Sequence, residues 1–348
     1  MSGTANPHVL MLTTIYSAHA GKSGYGRLAQ YVPGAEILTS ERAEPKGGPG
    51  LFFSRVARKF AFSRWYLAGS AKLEWKAARR VWSGFDGVVH AMWADHDLGY
   101  LDLVLNKKRH RFCGTFHNCP DDFKHTLRFP KRLRNFDAVV LMSETQRTFF
   151  REAGVPNDRI HVVLHGVDTD YFAPAPPAQP SPEFTVISVG GFRRNFPLLH
   201  KVCELLGNAR NIRFKIVAPE SRRAMFSDFP NVEFQSGLDD AALLAAYQSA
   251  SCLLHTAENA TANNALLEAM ACGLPVVAEH VGGIPEYVNA ECALLVEPGN
   301  ESTLAGAIRE LSKSPSLHAS MRLEARKHAE TLAWPLVAQR MMEVYKNL

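Results

Sequence analysis

No apolar run in this chain approaches the roughly 20 residues that a bilayer-spanning helix needs. The N-terminal stretch MSGTANPHVLMLTTIY has a short apolar segment and no basic leader. It is expected to be a first β-strand, not a signal peptide. The six cysteines (Cys113, Cys119, Cys203, Cys252, Cys272, Cys292) are scattered and form no C-x-x-C pair. That excludes a zinc pattern and argues against a disulfide framework, so reduced structural thiols are expected. Short-period repeats are lacking, and low-complexity sequence is confined to one Pro-rich stretch. No RNA-binding aromatic string or DNA-binding motif accompanies the basic runs, so nucleic acid is not an expected partner.

What is present is the composition of a globular protein, 46% apolar and 21% charged, in 348 residues, enough for two domains. The net charge of +5 is unevenly spread. Residues 1–170 hold 24 Lys+Arg against 16 Asp+Glu, and the remainder 15 against 18. A basic first half suits an anionic partner.

Short β-branched and aromatic runs alternate with helical patterns throughout. Strand candidates in the first half are HVLMLTTIY (8–16), FDGVVHAMW (85–93), RFCGTFH (111–117), FDAVVLMS (136–143) and RIHVVLHG (159–166). LEWKAARRVW (73–82) and SETQRTFFREAG (143–154) read as helices, and RLAQYV (27–32) as a helix start after the Gly-rich turn GKSGYG. The stretch APAPPAQPSPE (173–183) has little helix or strand potential and reads as a linker. The alternation then restarts, from FTVISVGG (184–191) to ALLVEP (293–298). Strands alternating with helices predict an α/β fold of two Rossmann-like domains with parallel sheets.

Chemistry concentrates in NALLEAMACGLPVVAEHVGGIPEYV (264–288), a helix with Glu268 near its start, a buried strand, and the pair Gly282–Gly283. A carboxylate in a cleft accepts two hydrogen bonds from a diol such as ribose, and paired glycines admit close backbone approach. By chemistry alone an ordinary α/β crossover is an equal reading. Two D-x-D strings, Asp95–His96–Asp97 and Asp168–Thr169–Asp170, invite a divalent cation, but two carboxylates alone make a poor site, so no metal is expected. Residues 52–82 interleave aromatics with Arg and Lys, and KKRHRF (107–112) and KRLRNF (131–136) add charge. The pattern is open between amphipathic core helices and contact with an anionic membrane surface.

The string 264–288 resembles the C-terminal signature of the retaining glycosyltransferases of family 4, which have the GT-B fold. HVLMLTTIY with GKSGYGRLA, FDGVVHAMW, CGTFHN, VVLHGVDTDYFAP, FTVISVGGFRRN, VEFQSGLDDAALLAAYQSASCLLHT and LAWPLVAQRMMEVY resemble the family's other segments in order. The likeness is strong across 184–300 and weaker in 34–85. It implies an acceptor domain at 1–172, a linker at 173–182, and a nucleotide-sugar domain at 183–325. The closing helix, 326–348, would pack back on the first domain, and the sheets would face each other across a cleft. The implied reaction moves a sugar from a UDP- or GDP-linked donor to a glycan or lipid-linked acceptor, with retention and without metal or cofactor. Envelope polysaccharide or glycolipid synthesis in the cytoplasm, at the inner membrane face, is the implied setting.

Carried residue by residue, the resemblance gives Glu268 the ribose hydroxyls and His117 the reacting centre. Gly24 and Gly26 would lie in the loop near donor phosphate and acceptor. The family's Arg…Lys pair on the diphosphate is replaced by adjacent Arg193 and Arg194 in a shortened turn. Arg194 is the first choice and Arg193 the second. The first Glu of the family's paired signature falls at Ala260. Thr261, Asn263, Asn264 or a displaced Glu258 would then supply the sugar contacts. This departure keeps a catalytically silent GT-B binding subunit open, beside a nucleotide-sugar epimerase on the same fold.

Overall fold

A computed structural model describes residues 6–15, 21–41, 48–176 and 183–348, with backbone alone for 48–53. Most of the linker candidate, 177–182, lies outside them. The chain divides into two compact units. The first comprises the N-terminal strand, Gly24–His165 and Trp334–Leu348. The second comprises Gly166–Ala333 with the short segment ending at Ser23.

The first unit holds one parallel sheet in the order β2-β1-β3-β4-β5-β6. Its strands are β1 (Val9–Ile15), β2 (Glu36–Glu41), β3 (Gly87–Ala91), β4 (His110–Phe116), β5 (Ala138–Leu141) and β6 (Ile160–Val162). The central strands are buried on both faces, which is why they read as unbroken apolar runs. Leu10, Val89, Phe112, Phe136 and Phe150 lie in one core cluster. Strand β2 was not among the strands expected from sequence. Its EILTSE alternates half-buried or buried with exposed positions because it is an edge strand, paired among the described residues with β1 alone, from Leu10↔Glu36 to Ile15↔Glu41. The expected helix start at 27–32 is a 3-10 helix, Tyr25–Gln30.

The second unit repeats the plan in the order β12-β11-β10-β7-β8-β9, again all parallel. The strands are β7 (Phe184–Val189), β8 (Ile212–Val217), β9 (Val232–Gln235), β10 (Cys252–His255), β11 (Val276–Glu279) and β12 (Ala293–Val296). Helices Phe196–Leu206, Glu301–Lys313 and Pro315–Glu330 contribute Val202, Ile308 and Met321 to its core. Arg326, where the sequence reading begins the closing segment, stays with this unit: its Nη1 donates to the carbonyls of Thr169, Phe172 and Ala271 at 2.9–3.0 Å. The segment belonging to the first unit begins at Trp334, whose helix buries Trp334, Met341 and Tyr345. All six cysteines are buried free thiols.

Candidate functional site

In the second unit the strand order reverses between β7 and β10. The loops after these strands therefore flank the crevice where open parallel sheets bind ligands. The two loops are tied together. Asn195 N donates to Thr256 O at 3.2 Å and Glu258 N to Arg193 O at 3.1 Å, around a bridge between Arg194 and Ala257. Arg193 takes φ 53°, a conformation rare outside glycine, and its guanidinium lies 5.9 Å from the Phe192 ring. Arg194 turns the other way. Its Nε donates to Val189 O at 2.9 Å and its Nη2 to Asn263 Oδ1 at 3.1 Å. Burial pushes this guanidinium down to about 10 against the opposing pull of Tyr247 and Glu268, so it remains a cation at neutral pH.

Asn263 caps the helix Asn264–Ala271, its Oδ1 also accepting from Leu266 N at 3.1 Å. This fixes where Glu268 emerges, one turn in, at the middle of eight residues and not at the start. Glu268 is 4% exposed. Its Oε2 accepts from Tyr247 Oη at 2.9 Å and its Oε1 from the Ser23 hydroxyl. Two hydroxyls on two carboxylate oxygens is the pattern that a vicinal diol presents. Burial raises the Glu268 carboxyl above its ordinary range, against the hydrogen bonds from Ser23 and Tyr247. His255, at the end of β10, is pushed well below its ordinary range by burial and then by the Arg194 charge, so it is neutral.

The loop after β10 is braced from below. Glu279 Oε2 accepts from Ala257 N at 3.0 Å and its Oε1 from Gly299 N at 2.8 Å. Ala260, at the family's missing Glu position, is buried, and its carbonyl accepts from Gly283 N at 2.8 Å. A Cβ on Gly282 would come within 2.2 Å of that carbonyl, so only glycine fits there.

In the first unit the order reverses between β1 and β3, and His117 follows the adjacent β4. Its ring stacks on Trp93 at 4.0 Å and meets Tyr25 edge-on at 4.9 Å. Below it, Asp95 Oδ2 accepts from the backbone N–H of His117 at 2.7 Å and of Asn118 at 2.8 Å, with Oδ1 3.6 Å from His117 Nδ1. Burial pushes the Asp95 carboxyl up, but His96, His117 and the Asn118 amide outweigh it and hold it below its ordinary value. Asp97 accepts from Thr14 Oγ1 at 2.5 Å and Ser70 Oγ at 2.8 Å. Both carboxylates of this D-x-D string thus serve protein donors. Gly24, at φ 90°, and Gly26 flank Tyr25, which the Gly-rich turn holds against His117. Tyr25 Oη is 3.1 Å from Thr115 Oγ1, which is 2.8 Å from His90 Nε2. His90 Nδ1 lies 2.6 Å from Tyr345 Oη. Burial and then the nearby His117 lower His90 to about 3.

Two family models match the chain. Residues 183–314 match the one described as Glycosyl transferases group 1, and residues 35–171 the one described as Glycosyltransferase Family 4. The chain belongs to the family 4 glycosyltransferases. Similar curated relatives of this family 4 chain include the D-inositol 3-phosphate glycosyltransferase of Rhodococcus jostii (strain RHA1), 26% identical over 60% of this chain and 52% of that one. Another is the MMP alpha-(1->4)-mannosyltransferase of Mycolicibacterium hassiacum, 28% identical over 61% of this chain and 54% of that one. The chain spans about half the length of the curated relatives it matches. Among solved structures, the glycosyltransferase from Rickettsia africae ESF-5 superposes with TM-score 0.74 at 16% identity over 99% of both chains. Anabaena HepE in complex with UDP-glucose gives 0.69 at 17% identity over 98% of this chain and 100% of that one. The fold of this family 4 chain is GT-B, α/β with two parallel sheets.

Of the residues singled out from sequence, Arg194, Asn263 and Glu268 come together in the second unit, with Thr261 buried and Asn264 half-buried on the same loop. Glu258 is exposed, and Arg193 lies against Phe192. His117, Gly24 and Gly26 belong to the first unit. Sequence reasoning missed Ser23, Tyr247, Glu279, Trp93 and Tyr25 as site residues, and named Asp95 only within a D-x-D string. Tyr247 sits in an ordinary helical pattern, and only the fold brings its hydroxyl to Glu268.

Proposed function

We propose that this protein transfers a glycosyl group from a nucleoside diphosphate sugar to an acceptor hydroxyl with retention of configuration. The observation that carries this reading is the buried Glu268 carboxylate beside Arg194, whose two oxygens accept from the hydroxyls of Ser23 and Tyr247. Glu268 accepts the ribose diol. Arg194, held by Val189 O and Asn263, places a fixed cation for the departing diphosphate, which lowers that barrier without a metal. His117, stacked on Trp93 and backed by Asp95, donates to the donor sugar and steadies its oxocarbenium-like transition state. The leaving phosphate acts as base for an acceptor attacking from the same face.

A UDP-linked donor is supported by the HepE complex with UDP-glucose, with GDP as the alternative base. The curated relatives, named for glycosyl transfer to D-inositol 3-phosphate and for α-(1→4)-mannosyl transfer, support a polyhydroxylated acceptor. A glycan or lipid-linked acceptor, with a role in envelope glycan synthesis on the cytoplasmic side, rests on the sequence resemblance alone.

The test is thermal unfolding with UDP, GDP, ADP and dTDP, with and without Mg²⁺. Saturation near 100 times the dissociation constant adds about 2.7 kcal/mol to the folded state. Stabilisation by one nucleotide, lost in Glu268→Ala, is expected. No response to any of the four overturns the reading. Ala260 favours one rival, a silent binding subunit, and release of free sugar from the donor that responds excludes it.

A further inference from the structure

The helix Ala68–Trp82 lays Leu73, Ala77 and Val81 into the core of the first unit. Its outer face carries Trp75 and Trp82, 57% and 62% exposed, seven residues apart and therefore on the same side. Their rings meet edge-to-face at 6.1 Å. Lys72, Lys76 and Arg79 are exposed around them. The single acid of this helix, Glu74, is turned inward, where it accepts from the N–H groups of Gly99, Tyr100 and Leu101 and from Tyr66 Oη. Arg80 is paired with Glu36. Every exposed charge on the helix is thus positive. Phe60, 62% exposed, ends the preceding helix, Gly48–Phe60, which packs against this one.

From this face we propose that the helix Ala68–Trp82 is a docking surface for an anionic lipid bilayer, lying in the plane of the interface. The two indoles enter at headgroup depth, and Lys72, Lys76 and Arg79 meet the lipid phosphates. A protein partner of ordinary composition would match the apolar rings but not a face whose charges are all of one sign. A bilayer rich in anionic lipid supplies both a boundary that tryptophan favours and a continuous negative surface. No described helix is long and apolar enough to cross a membrane, so the contact is peripheral. The proposal stands apart from the glycosyl-transfer reading, because it uses no residue of the candidate site.

The full chain is sedimented with phosphatidylcholine vesicles, pure or carrying about one-third phosphatidylglycerol. Binding to the anionic vesicles alone is expected, weakening as salt rises. Tryptophan emission shifts to the blue on binding, since Trp75 and Trp82 leave water whereas Trp93 and Trp334 are already buried. Trp75→Ala/Trp82→Ala and, separately, Lys72→Glu/Arg79→Glu each lower partitioning about tenfold or more. Nucleotide-induced stabilisation stays unchanged in both, which shows that they fold. Absence of anionic-vesicle binding by the parent protein, or undiminished binding by both variants, overturns the proposal. So does a dimer in sedimentation velocity, without vesicle binding, that Trp75→Ala/Trp82→Ala dissolves; the face would then belong to a second copy of this chain. The parent's lipid and salt dependence decides the question even if a variant fails to fold.

Discussion

Asp95 in the first unit and Glu268 in the second are both buried carboxylates, 0% and 4% exposed, on opposite terms. Asp95 is met by two backbone N–H groups and by histidines, and its carboxyl lies below the ordinary range. Glu268 is met by two hydroxyls, and its carboxyl lies above it. Backbone amides belong to the fold, so a carboxylate they satisfy is a structural anchor. Asp95 fixes the turn that carries His117. A carboxylate held buried with its charge incompletely compensated is a cost that folding alone does not explain, and binding a diol relieves it.

The largest effect that could break this contrast is Glu268→Ala. It is expected to weaken nucleoside diphosphate binding by about 100-fold or more, because a ligand diol loses a charged acceptor. Isothermal titration measures this, and near-parental affinity would remove Glu268 from the site. Arg194→Ala comes next, with turnover reduced by roughly 10²–10³. The loss should fall on kcat more than on nucleotide affinity, as steady-state kinetics will separate, because the cation acts on charge that develops as the bond breaks.

His117→Ala sharpens the division between units. Turnover is expected to fall by about 10²-fold, while the nucleotide-dependent rise in unfolding midpoint stays at the parental value. A lost midpoint response would put His117 in nucleotide binding instead.

The smallest expected effect compares stability across pH. The Glu268 carboxyl is raised by folding, so its contribution is fully present below the unfolded carboxylate range and is lost as pH rises through the folded value. Glu268→Gln cannot ionise and should unfold a few degrees higher than the parent at pH 8. The Asp95 carboxyl is lowered, so its contribution is present above the unfolded value and lost as pH falls through the folded one. Asp95→Asn should therefore unfold below the parent at pH 8, with the gap closing in acid. Calorimetric scans at several pH values test both signs, and parallel curves for the two variants would collapse the comparison.

The second unit was the more legible in sequence because its determinants are local. Asn263 caps the helix that presents Glu268, Arg194 follows β7 by a short turn, and the Gly282–Gly283 pair admits the loop after β10, all within contiguous strings. In the first unit, β2 escaped because an edge strand keeps polar residues on its exposed positions. The helix Ala68–Trp82 was legible as basic and aromatic, but not which of its tryptophans stay in water.

The sequence by itself determined the alternation of strands and helices, because periodicity is written along the chain, and its resemblance to the family singled out Glu268, Arg194 and His117 as candidates. Only the tertiary structure decided that Ser23 and Tyr247 occupy the two oxygens of Glu268, 245 and 21 residues away. It also decided that Asp95 holds its carboxylate beneath His117 and that Glu258 is exposed. A hydrogen bond depends on where two atoms end up. When the chain between them must first form a strand, a crossover helix and a sheet neighbour, no local pattern specifies the encounter.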